Sequence, residues 1–153
     1  KYERVDITSE IEFIKENLGT LIREKQVVVE VAVDEGKTIW TKKTVFHRVL
    51  ENLVSNSIKY SDPQKSTRFV KLEVADSNEG TKLHVSDNGL GIPEEYFGEL
   101  FGMFKRFHKS SSFGSGLGLY LVKKNLERIG GEISLKSSPE GTVFTILFSR
   151  QNV

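Results

Sequence analysis

Two glycine-rich turns constrain this chain more than any other feature of its sequence. They are Asp87-Asn88-Gly89-Leu90-Gly91 and Gly114-Ser115-Gly116-Leu117-Gly118-Leu119. Glycine allows positive φ angles and close approach of the backbone to another group, although it costs conformational entropy on folding. Two separate clusters therefore indicate that bare backbone is needed at both places, and a bound ligand is the leading explanation. A turn that is required only by packing is the alternative for either cluster taken alone.

The spacing of apolar residues predicts an α/β sandwich in which helices cover one face of a mixed, mostly antiparallel sheet. Helices are predicted at 7–21, 44–60 and 116–129, strands at 27–33 and 38–41, and hairpins with turns at 77–80 and 139–141. Ser9 and Glu12 are predicted to form a capping box at the start of the first helix. Gly130-Gly131 is predicted to end the last one.

The length of 153 residues favours a single domain over 1–153, and Lys1 in place of a methionine indicates a piece of a longer protein. A net charge of +1 gives no electrostatic case for binding nucleic acid. The absence of cysteine excludes disulfides and is typical of the cytoplasm. No apolar run is long enough to span a bilayer, so we expect no membrane contact by this fragment.

The helix predicted at 44–60 carries an unusual polar stripe. On a helical wheel Asn52, Asn56 and Lys59 fall within about 60° of one another, whereas Leu50 and Leu53 lie elsewhere. Asparagine is a mediocre helix former, and a surface position more easily takes glutamate or lysine. A carboxamide oxygen can bind Mg²⁺, and a lysine one turn on can meet a phosphate. A solvated helix face is the alternative.

Asp87 ends a predicted strand and precedes Asn88-Gly89. One interpretation is an Asx turn that caps the strand. The functional interpretation is that the carboxylate accepts a hydrogen bond from the exocyclic amine of a purine. Adenine has that donor and guanine has a carbonyl in its place, so the residue would select adenine.

The second glycine turn leads into a helix, whose exposed N–H groups and dipole suit a polyphosphate. The basic, serine-rich stretch at 105–112 predicts a mobile lid, with a solvated charge run as the alternative. The sequence has no Walker-type phosphate loop, no dinucleotide-binding glycine motif and none of the eukaryotic-type kinase signatures.

Four segments, in the right order, resemble the motifs of the GHKL superfamily of ATPases and kinases. The stretch 52–60 resembles the N box, 87–93 the first glycine box and 114–119 the second. Residues 101–106 are similar to the F box of bacterial sensor histidine kinases. The resemblance covers most of residues 44–131. It implies a Bergerat fold, the catalytic ATP-binding domain of a two-component sensor kinase.

By this resemblance Asn56 is the Mg²⁺ ligand, supported by Asn52, and Asp87 recognises adenine. Lys59 and Tyr60 contact ATP, and Arg106 contacts the γ-phosphate or the phosphoacceptor domain. The implied catalytic residues are Asn52, Asn56, Lys59 and Arg106. The further implied nucleotide-binding residues are Gly89, Gly91, Ile92, Phe104, Lys105, Gly114, Ser115, Gly116, Leu117, Gly118 and Leu119.

Two positions depart from the family pattern. Lys42 replaces an aspartate that many members have before the N-box helix, so Thr41 or Thr44 is expected to cap that helix. Gly102-Met103 replaces the usual Glu-Pro of the F box, which changes the expected lid geometry but keeps the aromatic residues.

The resemblance also implies transfer of the γ-phosphoryl group to a histidine that this chain does not supply. His47, His84 and His108 all lack the His-Glu or His-Asp context of an acceptor helix. We therefore expect the acceptor in an upstream dimerisation and phosphotransfer domain or on another chain, with a response regulator downstream. The fragment is expected to be a monomer and the full-length protein a homodimer.

Two other functions remain to be compared with the kinase. An ATP-hydrolysing clamp of the gyrase or MutL type belongs to the same superfamily, but such enzymes have a glutamate at the position of Asn52. A carboxamide cannot act as a base at ordinary pH. A degenerate module that binds a partner through this fold is the alternative from another class, and nucleotide titration would distinguish it.

Overall fold

The computed structural model describes residues 1–101 and 117–149. In chain order the elements are β1 (Tyr2–Asp6), α1 (Ile7–Asn17), α2 (Gly19–Lys25), β2 (Val27–Ala32), β3 (Thr38–Lys42), α3 (Lys43–Lys59), β4 (Arg68–Ser77), β5 (Gly80–Asp87), a short 3₁₀ helix (Glu94–Glu99), α4 (Leu117–Arg128), β6 (Gly131–Ser138) and β7 (Gly141–Ser149). No helix in these two ranges is long and apolar enough to cross a membrane.

The main sheet has five strands in the order β2-β4-β5-β7-β6. Strands β2 and β4 are parallel, and the other three pairs are antiparallel. Both predicted hairpins are present, and they lie side by side because β5 pairs with β7 along its whole length. The predicted fold class is therefore confirmed.

The core lies between α3 and one face of this sheet. Phe46, Leu50 and Leu53 of α3 are fully buried, as are alternate residues of β7 such as Ile146 and Phe148. The rings of Phe46 and Phe148 meet edge to face, with centroids 5.7 Å apart. Burial of one apolar stripe of α3 fixes the rotation of the helix, and this determines where its polar stripe faces.

The single helix predicted at 7–21 is wrong, because the structure has two helices separated at Leu18. Leu18 has φ −97° and ψ 11°, outside the helical region, and Gly19 follows it. Glycine weakens a helix interior, so the break falls where the sequence is least able to resist it. The apolar spacing continues across the break, which is why periodicity alone predicts one helix.

The predicted helix caps are also corrected. The Ser9 amide donates to the Asp6 carboxylate at 2.8 Å, so Asp6 caps α1 and the capping box of Ser9 with Glu12 is absent. Pairing of β1 with β3 holds Asp6 in an extended conformation directly before the helix. At α3 the cap position is Lys42, which makes no side-chain capping bond, while Thr41 is fully buried. The glycine predicted to end the last helix is confirmed, since Gly130 has φ 75°.

Candidate nucleotide-binding site

The polar stripe of α3 faces away from the core. Asn52 and Asn56 are half-buried and Lys59 is exposed, whereas Leu53 on the other face is fully buried. The described residues offer no hydrogen-bond partner to the carboxamide of either asparagine. Partly buried polar groups usually have a partner, so these two carboxamides are suited to receive one from a group that the described residues do not supply.

The first glycine turn lies against the C-terminal end of α3. The Leu90 amide donates to the Tyr60 carbonyl oxygen at 3.0 Å. A Cβ atom at Gly89 would lie only 2.4 Å from the same oxygen. This close approach explains a glycine at position 89 through packing, and it also places the turn at the C-terminal end of the helix that carries the polar stripe.

The other side of the turn lies against the turn between β6 and β7. Gly91 has φ 79°, and a Cβ there would lie 2.0 Å from the Ser138 carbonyl oxygen. The Ile92 amide donates to the Ser137 hydroxyl at 2.7 Å. Packing therefore accounts for Gly91 as well, and the same contacts hold the end of β5 between α3 and the β6–β7 turn.

Asp87 occupies that strand end. Its Oδ1 atom accepts hydrogen bonds from the Gly89 amide at 2.9 Å and from the Thr142 amide at 3.3 Å. The Asx turn is thus present. Burial raises the pKa of the Asp87 carboxyl above its ordinary value. This rise is opposed by four groups that favour the carboxylate, namely the Gly89 amide, the Ser57 hydroxyl, the Thr142 amide and the charge of Lys65. Because both backbone donors reach Oδ1, the carboxylate keeps accepting capacity at Oδ2 for a ligand.

Several residues around Asp87 were missed by sequence reasoning. They are Ser57, Lys65 and the Gly141-Thr142 pair of the hairpin turn. Ser57 follows Asn56 directly in α3 and is buried. A Cβ at Gly141 would lie 2.0 Å from the Asp87 carbonyl oxygen. The hairpin turn itself was predicted, but its position next to Asp87 depends on the β5–β7 pairing, in which Asp87 is opposite Thr142.

The second glycine turn and the lid fall mostly outside the described ranges. Phe104, Lys105, Arg106, His108, Gly114, Ser115 and Gly116 are all outside them. Helix α4 begins at Leu117 and packs against α3, and Leu119 is buried in the core. The part of the predicted phosphate region that the structure describes, at the start of α4, therefore belongs to a helix that packs against α3.

The two described histidines make structural contacts with neighbouring elements. His47 Nδ1 lies 2.8 Å from Glu10 Oε1 and its Nε2 lies 3.5 Å from Glu51 Oε1, joining α1 to α3. His84 Nδ1 lies 2.9 Å from the Thr145 hydroxyl across the β5–β7 pair.

Comparison with known proteins identifies one family. Residues 41–152 match the sequence model described as histidine kinase-, DNA gyrase B-, and HSP90-like ATPase. The sensor histidine kinase YvrG of Bacillus subtilis is 35% identical over 130 residues, which are 83% of this chain and 20% of that protein. The curated relatives are much longer, and the chain spans 14% to 40% of their lengths.

The fold is also that of solved histidine kinases. The histidine kinase AdeS of Acinetobacter baumannii superimposes with a TM-score of 0.81 at 23% identity, covering 99% of this chain and 68% of that one. The histidine kinase ThkA, solved in complex with the response regulator protein TrrA, has a TM-score of 0.76 at 21% identity, covering 97% of this chain and 42% of that one.

Proposed function

Because this chain belongs to the histidine kinase-, DNA gyrase B- and HSP90-like ATPase family, we propose that it is the ATP-binding catalytic domain of a sensor histidine kinase. In this reaction the bond between the β,γ-bridging oxygen and the γ-phosphorus of ATP breaks, and a bond forms from that phosphorus to a ring nitrogen of a histidine. ADP leaves. The histidine belongs to a separate dimerisation and phosphotransfer domain, and a response regulator receives the phosphoryl group next.

The observation that carries this proposal is the pair of carboxamides on α3 beside the Asp87 turn. Asn52 and Asn56 face out of the core without partners among the described residues, and the Tyr60 carbonyl at the end of the same helix holds the Gly89 turn. A group bound to the carboxamides and a base bound to Asp87 would therefore be parts of one ligand. A nucleoside triphosphate has parts of both kinds.

The donor set also fits Mg²⁺. Carboxamide oxygens are hard ligands, and Mg²⁺ commonly takes one or two protein oxygens together with waters and substrate phosphates. Asn56, supported by Asn52, would hold the ion, which would neutralise negative charge on the phosphates. Lys59 is exposed on the next turn and would meet a phosphate as a point charge.

The remaining roles follow the same arrangement. Asp87 accepts a hydrogen bond from the exocyclic amine of adenine, and the wall of the base site is shaped by Tyr60, Gly89, Gly91 and Ile92. Leu117, Gly118 and Leu119 at the start of α4 would support the phosphate region, completed by 104–106 and 114–116. Phosphoryl transfer depends chiefly on positioning and charge stabilisation, which these groups can provide.

Asn52 favours the kinase over an ATP-hydrolysing clamp. An enzyme that hydrolyses ATP by activating water needs a base near the γ-phosphate, and a carboxamide cannot accept that proton. A histidine acceptor has its own nucleophilic nitrogen. We therefore propose that the phosphoryl group goes to a protein acceptor, in the cytoplasm, where ATP is supplied. We also propose that this domain acts as a monomer within a full-length homodimer.

A labelling experiment tests the proposed function. Incubation of the chain alone with γ-labelled ATP and Mg²⁺ is expected to leave it unlabelled, because His47 and His84 are engaged in structural contacts. Addition of a dimeric histidine-bearing helical domain from the same parent protein is expected to give acid-labile phosphohistidine on that partner. Stoichiometric label on His47, His84 or His108, or no label on the partner, would contradict the proposal.

Asp87→Asn is expected to separate stability from nucleotide binding. Burial raises the pKa of Asp87, so folding disfavours its ionised form, and stability falls as pH rises above the ordinary carboxyl value. The neutral amide removes that cost and can still accept the Gly89 hydrogen bond. We expect a higher melting temperature than wild type at neutral pH, with the difference vanishing in acid.

The same substitution should weaken ATP binding about ten- to hundredfold, since a hydrogen bond to a charged group contributes about 1.5–3 kcal/mol. Calorimetric titration with ATP and thermal unfolding at two pH values measure both effects. Unchanged ATP affinity in the folded variant would remove Asp87 from the base site.

A further inference from the structure

Lys65 lies in the loop between α3 and β4, outside every motif that the sequence analysis assigned. Its side chain is half-buried, and its ammonium donates to backbone carbonyl oxygens of two distant segments. These are Asn88 at 2.5 Å and Glu140 at 3.2 Å, with Gly89 at the longer distance of 3.5 Å. An ammonium has three donors, so these carbonyls use its full capacity.

The loop that carries Lys65 is itself held in place. The Lys65 amide donates to the Asp62 carbonyl at 3.1 Å, and the Gln64 amide donates to the Asp62 carboxylate at 2.9 Å. The Arg68 guanidinium donates to the carbonyls of Lys65 at 3.2 Å, Pro63 at 3.1 Å and Lys25 at 2.8 Å. The Lys65 side chain therefore extends from a backbone turn that is itself fixed by hydrogen bonds.

The two segments that Lys65 joins are those that enclose Asp87. Asn88 and Gly89 follow Asp87 directly. Glu140 lies two residues before Thr142, whose amide donates to the Asp87 carboxylate. Asn88 is fixed independently, since its side chain accepts from the Phe69 amide at 3.0 Å and donates to the Thr67 carbonyl at 2.8 Å. The Asn88 backbone oxygen accepts from the Lys65 ammonium in the same arrangement.

The charge of Lys65 also acts on Asp87. Within residues 1–101 and 117–149, the other groups that oppose the raised pKa of this carboxyl are uncharged, namely the Gly89 and Thr142 amides and the Ser57 hydroxyl. Lys65 is the charged side chain among them, and its positive charge favours the carboxylate. Helix α3, the β6–β7 turn and the glycine turn thus contribute neutral groups, and the α3–β4 loop contributes the cation.

We propose that Lys65 is a positioning residue for adenine recognition: it ties the glycine turn after Asp87 to the β6–β7 turn and provides the positive charge beside the Asp87 carboxylate. This inference rests on the proposed function, in which Asp87 accepts a hydrogen bond from the exocyclic amine of adenine. Lys65 itself touches no nucleotide, because its donors are occupied by backbone oxygens.

Two substitutions at this position distinguish the roles. Lys65→Met removes the charge and all three donors together, whereas Lys65→Gln removes the charge but keeps an amide group with two donors. The matched control is Lys82→Met on β5, which removes another half-buried lysine, one that pairs with Glu79 at 3.6 Å near the other end of the strand. ATP affinity is measured by calorimetry for each folded protein from neutral to mildly acidic pH.

Lys65→Met is expected to bind ATP about tenfold more weakly than wild type at neutral pH, as for loss of one charged hydrogen bond. In both Lys65 variants the pH at which ATP affinity is half lost should move upward, because Asp87 is protonated more easily without the neighbouring charge. Lys82→Met should match wild type in both respects.

The outcomes separate this inference from the function on which it rests. Failure of the wild-type chain to bind ATP at any pH overturns the proposed function. Wild-type ATP affinity in folded Lys65→Met and Lys65→Gln overturns the positioning role. An unshifted pH midpoint in Lys65→Gln overturns the electrostatic part of the proposal. If the Lys65→Met variant does not fold, the Lys65→Gln variant still tests the proposal.

Discussion

Gly89→Ala is expected to abolish measurable ATP binding, a loss of at least about a hundredfold, or about 2.7 kcal/mol. The new Cβ would lie 2.4 Å from the Tyr60 carbonyl oxygen and 3.1 Å from Asp87 Oδ1. The first of these is backbone at the end of α3 and cannot rotate away, so the turn must move. Movement breaks the Leu90–Tyr60 hydrogen bond and takes the Asp87 carboxylate out of register with the asparagines.

The matched control is Gly98→Ala in the 3₁₀ helix, where a Cβ would meet no atom within 4 Å. This variant should bind ATP as wild type does. Calorimetric titration with ATP, with circular dichroism to establish folding, gives the comparison. Wild-type affinity in a folded Gly89→Ala protein would mean that the turn does not border the nucleotide.

Asn56→Ala is expected to reduce phosphoryl transfer to the acceptor domain by about a thousandfold or more, the effect of losing several kcal/mol of metal-derived charge stabilisation. The Mg²⁺-dependent part of ATP binding should disappear, while adenosine affinity changes little. Stability should hold, because Asn56 makes no side-chain hydrogen bond to any described residue and alanine favours the helix. The measurement is the initial rate of acceptor labelling at saturating ATP and Mg²⁺.

Ser55→Ala provides the control for Asn56 on the same helix. The Ser55 hydroxyl donates back to the Asn52 carbonyl at 3.2 Å, a local bond that helices readily lose. Its labelling rate should stay close to wild type. A rate near wild type for Asn56→Ala as well would make Asn56 a surface residue of the helix with no metal to bind.

Local signals in the sequence predicted most of the elements. Both hairpins follow from alternating apolar residues around turn residues, and α3 follows from its apolar stripe, because each of these patterns is complete within a short segment. The interruption at Leu18 was not predicted, because the apolar spacing runs through it. Strand β1 was missed because it buries only Val5 among its exposed neighbours Glu3 and Arg4.

The site was predicted in part for the same reason. Asn52 and Asn56 stand out locally because they are asparagines within a helix. Asp87 stands out because it is an acid at a strand end, two residues before Gly89. Lys65 and Thr142 have no local signature, since one is an ordinary loop lysine and the other an ordinary strand residue. The relation of Thr142 to Asp87 exists only after β5 pairs with β7, which joins segments 55 positions apart. The relation of Lys65 to Asp87 exists only after the α3–β4 loop folds so that the ammonium meets the Asn88 and Gly89 carbonyls.

Strand β5 is the third of five in its sheet and is paired on both sides along its full length, Gly80 to Asp87. Amide groups in such a strand exchange with solvent chiefly through opening of much of the domain. Asp87 thus belongs to a strand whose amides are expected to exchange slowly, and its conformational freedom is lost when the chain folds. In the proposed function, a purine that binds this carboxylate meets an acceptor that is already ordered, so binding costs little further conformational entropy there.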